Sequence, residues 1–167
     1  MEIIRFKDGE CRYEVWNLPD GGWNDWADRA DRFLAHSIRE IAAEYAGEPI
    51  EWLEINHWPY SGRLIVFPSQ EGPYGDRIER VCFELSSEYL EAAVRQVSKS
   101  VPEADQESMW VSLSRRMWMQ VSECLLHGDA GRQLAIARQS HRLRVAGYDY
   151  EPGEELWWLA EDGKIRD

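Results

Sequence analysis

The sequence predicts an α+β fold: a single globular domain over residues 1–167, with a largely antiparallel sheet and helices packed mainly on one face. Apolar residues recur at helical spacing over about six turns between Gln106 and His127. Several shorter stretches alternate apolar and polar residues with the period of a strand. Their order (hairpin, helix, strands, helices, strands) lacks the regular strand and helix alternation of a doubly wound fold.

The longest predicted helix has one broad apolar stripe and one polar stripe. The apolar stripe consists of Trp110, Leu113, Met117, Val121 and Cys124, widened by Val111, Trp118 and Leu125. The polar stripe consists of Ser112, Arg116, Gln120, Glu123 and His127. Such a helix buries its apolar side against a core and leaves its polar side in water. We therefore predict that Trp110 and Trp118 are core residues.

The first third of the chain predicts a hairpin followed by a helix. Residues 2–17 read as two strands around Asp8-Gly9, a dipeptide that suits a tight turn with positive φ. Asn24 or Asp25 can cap the helix that follows. Its apolar residues repeat at three and four positions up to Tyr45, before Gly47 and Pro49 end it.

The rest of the chain continues with strands, then helices, then strands again. Alternating or branched residues predict strands at 50–56, 63–67 and 77–85. Ser86 or Ser87 can cap a helix that ends near Ser100. The longest helix is expected to break at Gly128, where Asp129 would cap a shorter helix. Strand patterns return at the end of the chain, at residues 142–146 and 156–159.

The composition predicts a folded, acidic, cytoplasmic protein. Of the residues, 44% are hydrophobic, and nineteen Lys and Arg against 31 Asp and Glu give a net charge of -12. Coulomb repulsion then disfavours binding to nucleic acid and to anionic membranes, and Coulomb attraction favours a basic protein partner.

The N-terminal residues show no secretory signal, and no apolar run is long enough to span a membrane. The cysteines Cys11, Cys82 and Cys124 are expected to be reduced structural thiols.

The sequence contains no recognisable catalytic or metal-binding motif. Close Cys or His pairs suited to zinc, Gly-rich phosphate loops and a nucleophile elbow are all missing, so we expect no metal and no cofactor. One enzyme alternative remains, a small hydrolase in which Cys82 is the nucleophile and His57 the base. A third alternative is an oligomeric structural domain.

The candidate binding residues are acids and loop aromatics. Between Asp20 and Glu54 nine acids stand against three arginines, and Asp25, Asp28 and Asp31 repeat at a spacing of three near the start of the predicted helix. The loop aromatics are Trp58, Tyr60 and Tyr74, and exposed aromatic side chains often anchor protein interfaces. This small, acidic, tryptophan-rich and cysteine-poor chain resembles bacterial toxin-neutralising immunity proteins in general character. The resemblance implies a non-catalytic domain that masks a basic protein surface.

Overall fold

The computed structural model describes residues 2–18, 23–48, 50–58, 63–69, 80–149, 156–159 and 165–166. The strands are β1 (Glu2–Asp8), β2 (Cys11–Leu18), β3 (Trp52–Trp58), β4 (Arg63–Ser69), β5 (Val81–Ser87), β6 (Arg144–Asp149), β7 (Leu156–Leu159) and β8 (Ile165–Arg166). The helices are α1 (Trp23–Glu44), α2 (Glu88–Ser100), α3 (Glu103–His127) and α4 (Asp129–Ala137). The predicted α+β class is confirmed. No helix within the described ranges is long and apolar enough to cross a membrane.

The strands form one mixed sheet in the order β1-β2-β5-β4-β3-β6-β7-β8. The β2–β5 and β3–β6 junctions are parallel, and the other five are antiparallel. The prediction did not include these two parallel junctions. They arise because α1, and later the group α2 to α4, return the chain to the end of the sheet where the preceding strand began. As a result, β2, β3, β5 and β6 run in the same direction. We call the end of the sheet where these four strands finish the carboxyl end.

The β1–β2 hairpin follows the predicted turn closely. Asp8 pairs with Cys11, which leaves Gly9 and Glu10 as a two-residue loop. Gly9 has φ of 59°, a left-handed conformation that costs glycine little. The sequence therefore set the register of this hairpin, and with it the pairing of Arg5 with Glu14.

The core lies between one face of the sheet and helices α1, α3 and α4. Side chains of β5 and β4 on this face pack with buried residues of the three helices. Burying these aromatic and aliphatic side chains supplies the main stabilisation of the fold. The aromatic residues of this core are Trp16, Trp26, Phe33, Tyr45, Phe83 and Trp118.

Helix α3 has the orientation that its sequence predicts. Met117 and Trp118 are buried, while Arg116 and Glu123 are exposed. Val111 departs from the predicted apolar stripe because its side chain is 36% exposed. The helix begins at Glu103, directly after Pro102, and the side chain of Trp110 lies outside the described part.

The Trp118 ring packs directly on the backbone of the sheet. A Cβ atom at Gly147 in β6 would overlap this ring, so glycine is what allows the close approach. The ring also meets the His57 imidazole edge to face, with 5.6 Å between ring centroids. Trp118 thereby joins α3 to both β3 and β6.

Candidate functional site

The first two acids of the predicted binding set lie near the start of α1. Asp25 and Asp28 belong to its first two turns, and α1 begins just after β2 finishes, at the carboxyl end of the sheet. Asp28 is exposed, and the half-exposed Asp25 carboxylate is 3.0 Å from the guanidinium of Arg29. Such an exposed pair contributes little stability, and Arg29 offsets the charge of Asp25, whereas Asp28 makes no ion pair within the described residues.

The third acid, Asp31, has a structural role that its spacing did not reveal. Its two carboxylate oxygens accept hydrogen bonds from the backbone amides of Asp129 and Ala130, each at 2.9 Å. These amides belong to the first turn of α4, where the helix itself provides no acceptor. The prediction that Asp129 caps this helix was wrong: the cap position is Gly128, and Asp31 supplies the carboxylate from α1. A side chain at Gly128 would overlap this carboxylate.

Among the predicted binding aromatics, Trp58 is the one within the described residues; Tyr60 and Tyr74 lie outside them. Trp58 is half-buried at the last position of β3, and therefore at the carboxyl end of the sheet. The guanidinium carbon of Arg63 sits 5.0 Å from the centroid of the Trp58 ring. Arg63 also donates a hydrogen bond of 2.7 Å to Glu84. The cation–π contact holds the indole in a defined position.

The proposed nucleophile and base, Cys82 and His57, are not brought together. His57 pairs with Leu64, which pairs with Leu85, so these three side chains share one face of the sheet. Cys82 is three residues from Leu85 on the same strand and points to the opposite face, because side chains alternate along a strand. His57 is fully buried, with Nε2 2.8 Å from the sulfur of Met117. The catalytic pairing of Cys82 with His57 is therefore contradicted by the register.

The environment of Cys124 is that of an inert thiol. Burial, followed by the negative charge of Asp31, raises the pKa of Cys124 to about 12. A thiol with such a pKa is almost entirely protonated at neutral pH and is a poor nucleophile.

Within the described residues, no group of three or more His, Cys, Asp or Glu side chains is placed so that it could hold a metal ion.

A buried charged cluster that the sequence did not single out lies between β2 and α1. Glu14 is only 9% exposed and accepts hydrogen bonds from Trp16 Nε1 at 2.6 Å and Arg5 Nε at 2.7 Å. His36 Nε2 of α1 lies 2.7 Å from Glu14 Oε1 but is not aligned as a hydrogen bond. Burial alone would raise the pKa of Glu14, yet these donors and charges outweigh it and lower the pKa.

This cluster borders a groove of about 530 Å³ between the β1–β2 hairpin and α1. The alternation of residues in β2 places Arg12, Glu14 and Trp16 on one face, but it does not indicate which face α1 covers. The residues on the other face are Tyr13 and Val15. On that face the Tyr13 ring stacks against Phe6, with 5.1 Å between ring centroids. The groove is thus defined by the tertiary packing of α1.

Comparison with known proteins found no relative. No family description, curated protein or solved structure matches this chain. Within the described residues, two arrangements can act chemically: a charged and aromatic carboxyl end of the sheet, and a groove with a fixed carboxylate and histidine. The carboxyl end is suited to protein contacts, and the groove has the size of a small-molecule site.

Proposed function

We propose that this protein is a non-catalytic, acidic protein-binding domain that masks a basic surface of a partner protein, in the manner of bacterial toxin-neutralising immunity proteins. The observation that supports the proposal most is the common location of Asp25, Asp28 and Trp58 at the carboxyl end of the sheet. Charged and aromatic groups at one end could contact a partner together. The net charge of -12 gives the same preference for a basic partner.

The acids and the tryptophan have separate roles in this proposal. Asp25 and Asp28 accelerate association with a basic surface through long-range attraction. Asp31 adds its charge from a fixed position, because its carboxylate is already bound to α4. Trp58 slows dissociation by burying its remaining exposed surface against the partner. Tyr60 and Tyr74 complete the proposed contact set.

The geometry favours binding over the hydrolase alternative. The candidate nucleophile Cys82 faces the opposite side of the sheet from His57. The buried carboxylate Glu14 is engaged by Trp16 and Arg5, so its accepting oxygens already have partners. Neither arrangement provides a nucleophile with a base in reach.

The proposal is tested by capture of proteins from the native cell followed by purification of the captured partner. Wild-type protein is compared with two double variants of equal charge change. Asp25→Asn/Asp28→Asn removes acids at the carboxyl end, and Glu103→Gln/Asp105→Asn removes exposed acids from the start of α3. Asp25 lies in the first turn of α1, and Glu103 and Asp105 lie in the first turn of α3, so both variants lose acid charge at a helix N-terminus. Helix α3 is about 37 Å long. The control acids lie at its start, and its other end meets α4.

We expect a basic partner that is captured by wild type and by the α3 variant, and captured less by the Asp25/Asp28 variant. Trp58→Ala should raise the dissociation constant of the purified complex about thirtyfold, the equivalent of about 2 kcal/mol. Equal capture by both double variants would contradict the proposed surface. Recovery of no partner, together with turnover on a hydrolase substrate panel, would contradict the proposed function.

A further inference from the structure

We propose that this protein forms a symmetric dimer in which β1 pairs antiparallel with β1 of a second copy, so that one sheet continues through both copies. Strand β1 is the first strand in the sheet order, and among the described strands none pairs with its outer side. This contact is separate from the surface proposed for a basic partner, and its test does not involve that partner.

The outer side of β1 is a long strand edge that carries exposed apolar side chains. Strand β1 has seven residues, whereas β8 at the opposite edge of the sheet has two. Ile4 is 42% exposed and Phe6 is 51% exposed. Both point away from the core, because they alternate with Ile3, which packs against it. An open edge of this kind is a template for pairing with another strand.

The hairpin turn determines which backbone groups of β1 face outwards. Asp8 and Cys11 flank a two-residue loop, and residues at these positions form a hydrogen-bonded pair. Hydrogen-bonded pairs alternate with non-hydrogen-bonded pairs along a hairpin. The backbone N–H and C=O groups of Ile3, Arg5 and Lys7 therefore point away from β2, towards the position of an added strand.

The sequence of β1 matches itself in an antiparallel register centred on Arg5. In this register Ile4 lies opposite Phe6 of the second copy, and Phe6 lies opposite Ile4, so two apolar cross-strand pairs form. Both are non-hydrogen-bonded pairs, in which side chains lie closest together. The smallest shift that keeps each side chain on its face is two residues. Such a shift places Phe6 opposite Glu2, or Ile4 opposite Asp8, and leaves a single apolar pair.

The charges of β1 favour a second copy over a basic partner at this edge. Strand β1 contains two acids and two bases, so it has no net charge in a chain whose net charge is -12. It therefore offers a basic partner no electrostatic attraction. Where the two Arg5 side chains approach each other, each is already paired with Glu14 at 2.7 Å, which reduces their repulsion.

The dimer is expected to be weak and to strengthen with salt. A contact along one strand is smaller than the interface of a stable dimer, so we expect a dissociation constant of about 100 μM. Salt screens the repulsion between two chains of charge -12, so raising it from about 50 mM to about 300 mM should strengthen dimerisation. This dependence is opposite in sign to that expected for a basic partner.

Sedimentation equilibrium of the full chain between about 10 μM and 500 μM tests the proposal. Phe6→Thr should weaken dimerisation about tenfold, because each dimer loses two cross-strand apolar pairs. Met119→Gln is the matched control, since it removes a 61% exposed apolar side chain from α3. Lys7→Pro should also weaken dimerisation, because it removes an outward N–H donor and leaves the hydrogen bonds to β2 in place. A chain that stays monomeric, a dimer that weakens with salt, or equal dimerisation of the Phe6 and Met119 variants would overturn the proposal.

The register is tested separately by a change of charge. The centred register places Glu2 opposite Asp8 of the second copy, a pair of like charges at each end of the contact. Glu2→Lys should therefore strengthen dimerisation about threefold more than Glu107→Lys does, an equal change of charge at an exposed residue of α3. Equal effects of the two lysine substitutions would overturn this pairing of β1 with itself.

Discussion

Replacement of Asp31 tests whether a carboxylate on α1 holds the start of α4. Asp31→Ala removes the acceptor for two amides of α4, those of Asp129 and Ala130. Loss of an N-cap acceptor costs about 1 kcal/mol, and loss of a negative charge beside a helix N-terminus costs about 0.3 to 1 kcal/mol. We expect a total loss of about 1.3 to 2 kcal/mol in the free energy of unfolding. Asp31→Asn should lose about half of this, because the amide oxygen can still serve one of the two donors.

The assay is urea unfolding followed by tryptophan fluorescence and by circular dichroism. In thermal unfolding of a chain of this length, a loss of this size should lower Tm by roughly 3 to 8 °C. Asp28→Ala is the control, because Asp28 is exposed on the same helix and is expected to change stability by no more than about 0.5 kcal/mol. Hydrogen exchange adds a local readout, since the amides of Asp129 and Ala130 should exchange faster in Asp31→Ala.

Equal stability of the Asp31→Ala and Asp28→Ala variants would refute the capping role. Unchanged exchange at Asp129 and Ala130 would refute it even if the stability fell. Because Asp31 was predicted from sequence as a binding residue, the result also separates its structural contribution from its electrostatic one.

Two further predictions concern the core and the buried carboxylate. Trp118→Ala should cost about 3 to 5 kcal/mol in urea unfolding, whereas Arg115→Ala on the exposed side of α3 should cost at most about 0.5 kcal/mol; equal costs would show that the helix orientation is wrong. The fold lowers the pKa of Glu14, so its carboxylate stabilises the fold at pH above the ordinary value of 4.5, and this stabilisation is lost as the pH falls through the lowered pKa. Glu14→Gln should therefore weaken the fall in stability below pH 4.5, measured by urea unfolding against the exposed control Glu103→Gln; identical pH profiles of Glu14→Gln and wild type would contradict this.

Local sequence patterns predicted the hairpin and the buried side of α3. The dipeptide Asp8-Gly9 and the alternation around it defined the hairpin, because turn geometry and strand period are short-range properties. The apolar stripe of α3 identified the buried side of Met117 and Trp118 for the same reason. The two parallel junctions depend on where helices return the chain, and no local pattern specifies that.

The candidate sites were less predictable because they are assembled from distant segments. Asp31 meets the amide of Asp129 across 98 positions, and nothing in the local sequence indicates that contact. Glu14 and His36 approach each other because α1 covers one face of the hairpin. The Cys82 and His57 alternative failed for a converse reason: the register of β3, β4 and β5 assigns the two side chains to opposite faces.

The most direct test of the proposed function is the association rate constant with the purified partner, measured by stopped-flow fluorescence between about 20 mM and 300 mM salt. We predict that the wild-type rate falls steeply with salt, because opposite charges accelerate the encounter. Asp25→Asn/Asp28→Asn should lower the rate at low salt and flatten its salt dependence more than Glu103→Gln/Asp105→Asn does. A rate that does not depend on salt, or that falls equally in the two double variants, would contradict an acidic binding surface at the carboxyl end of the sheet.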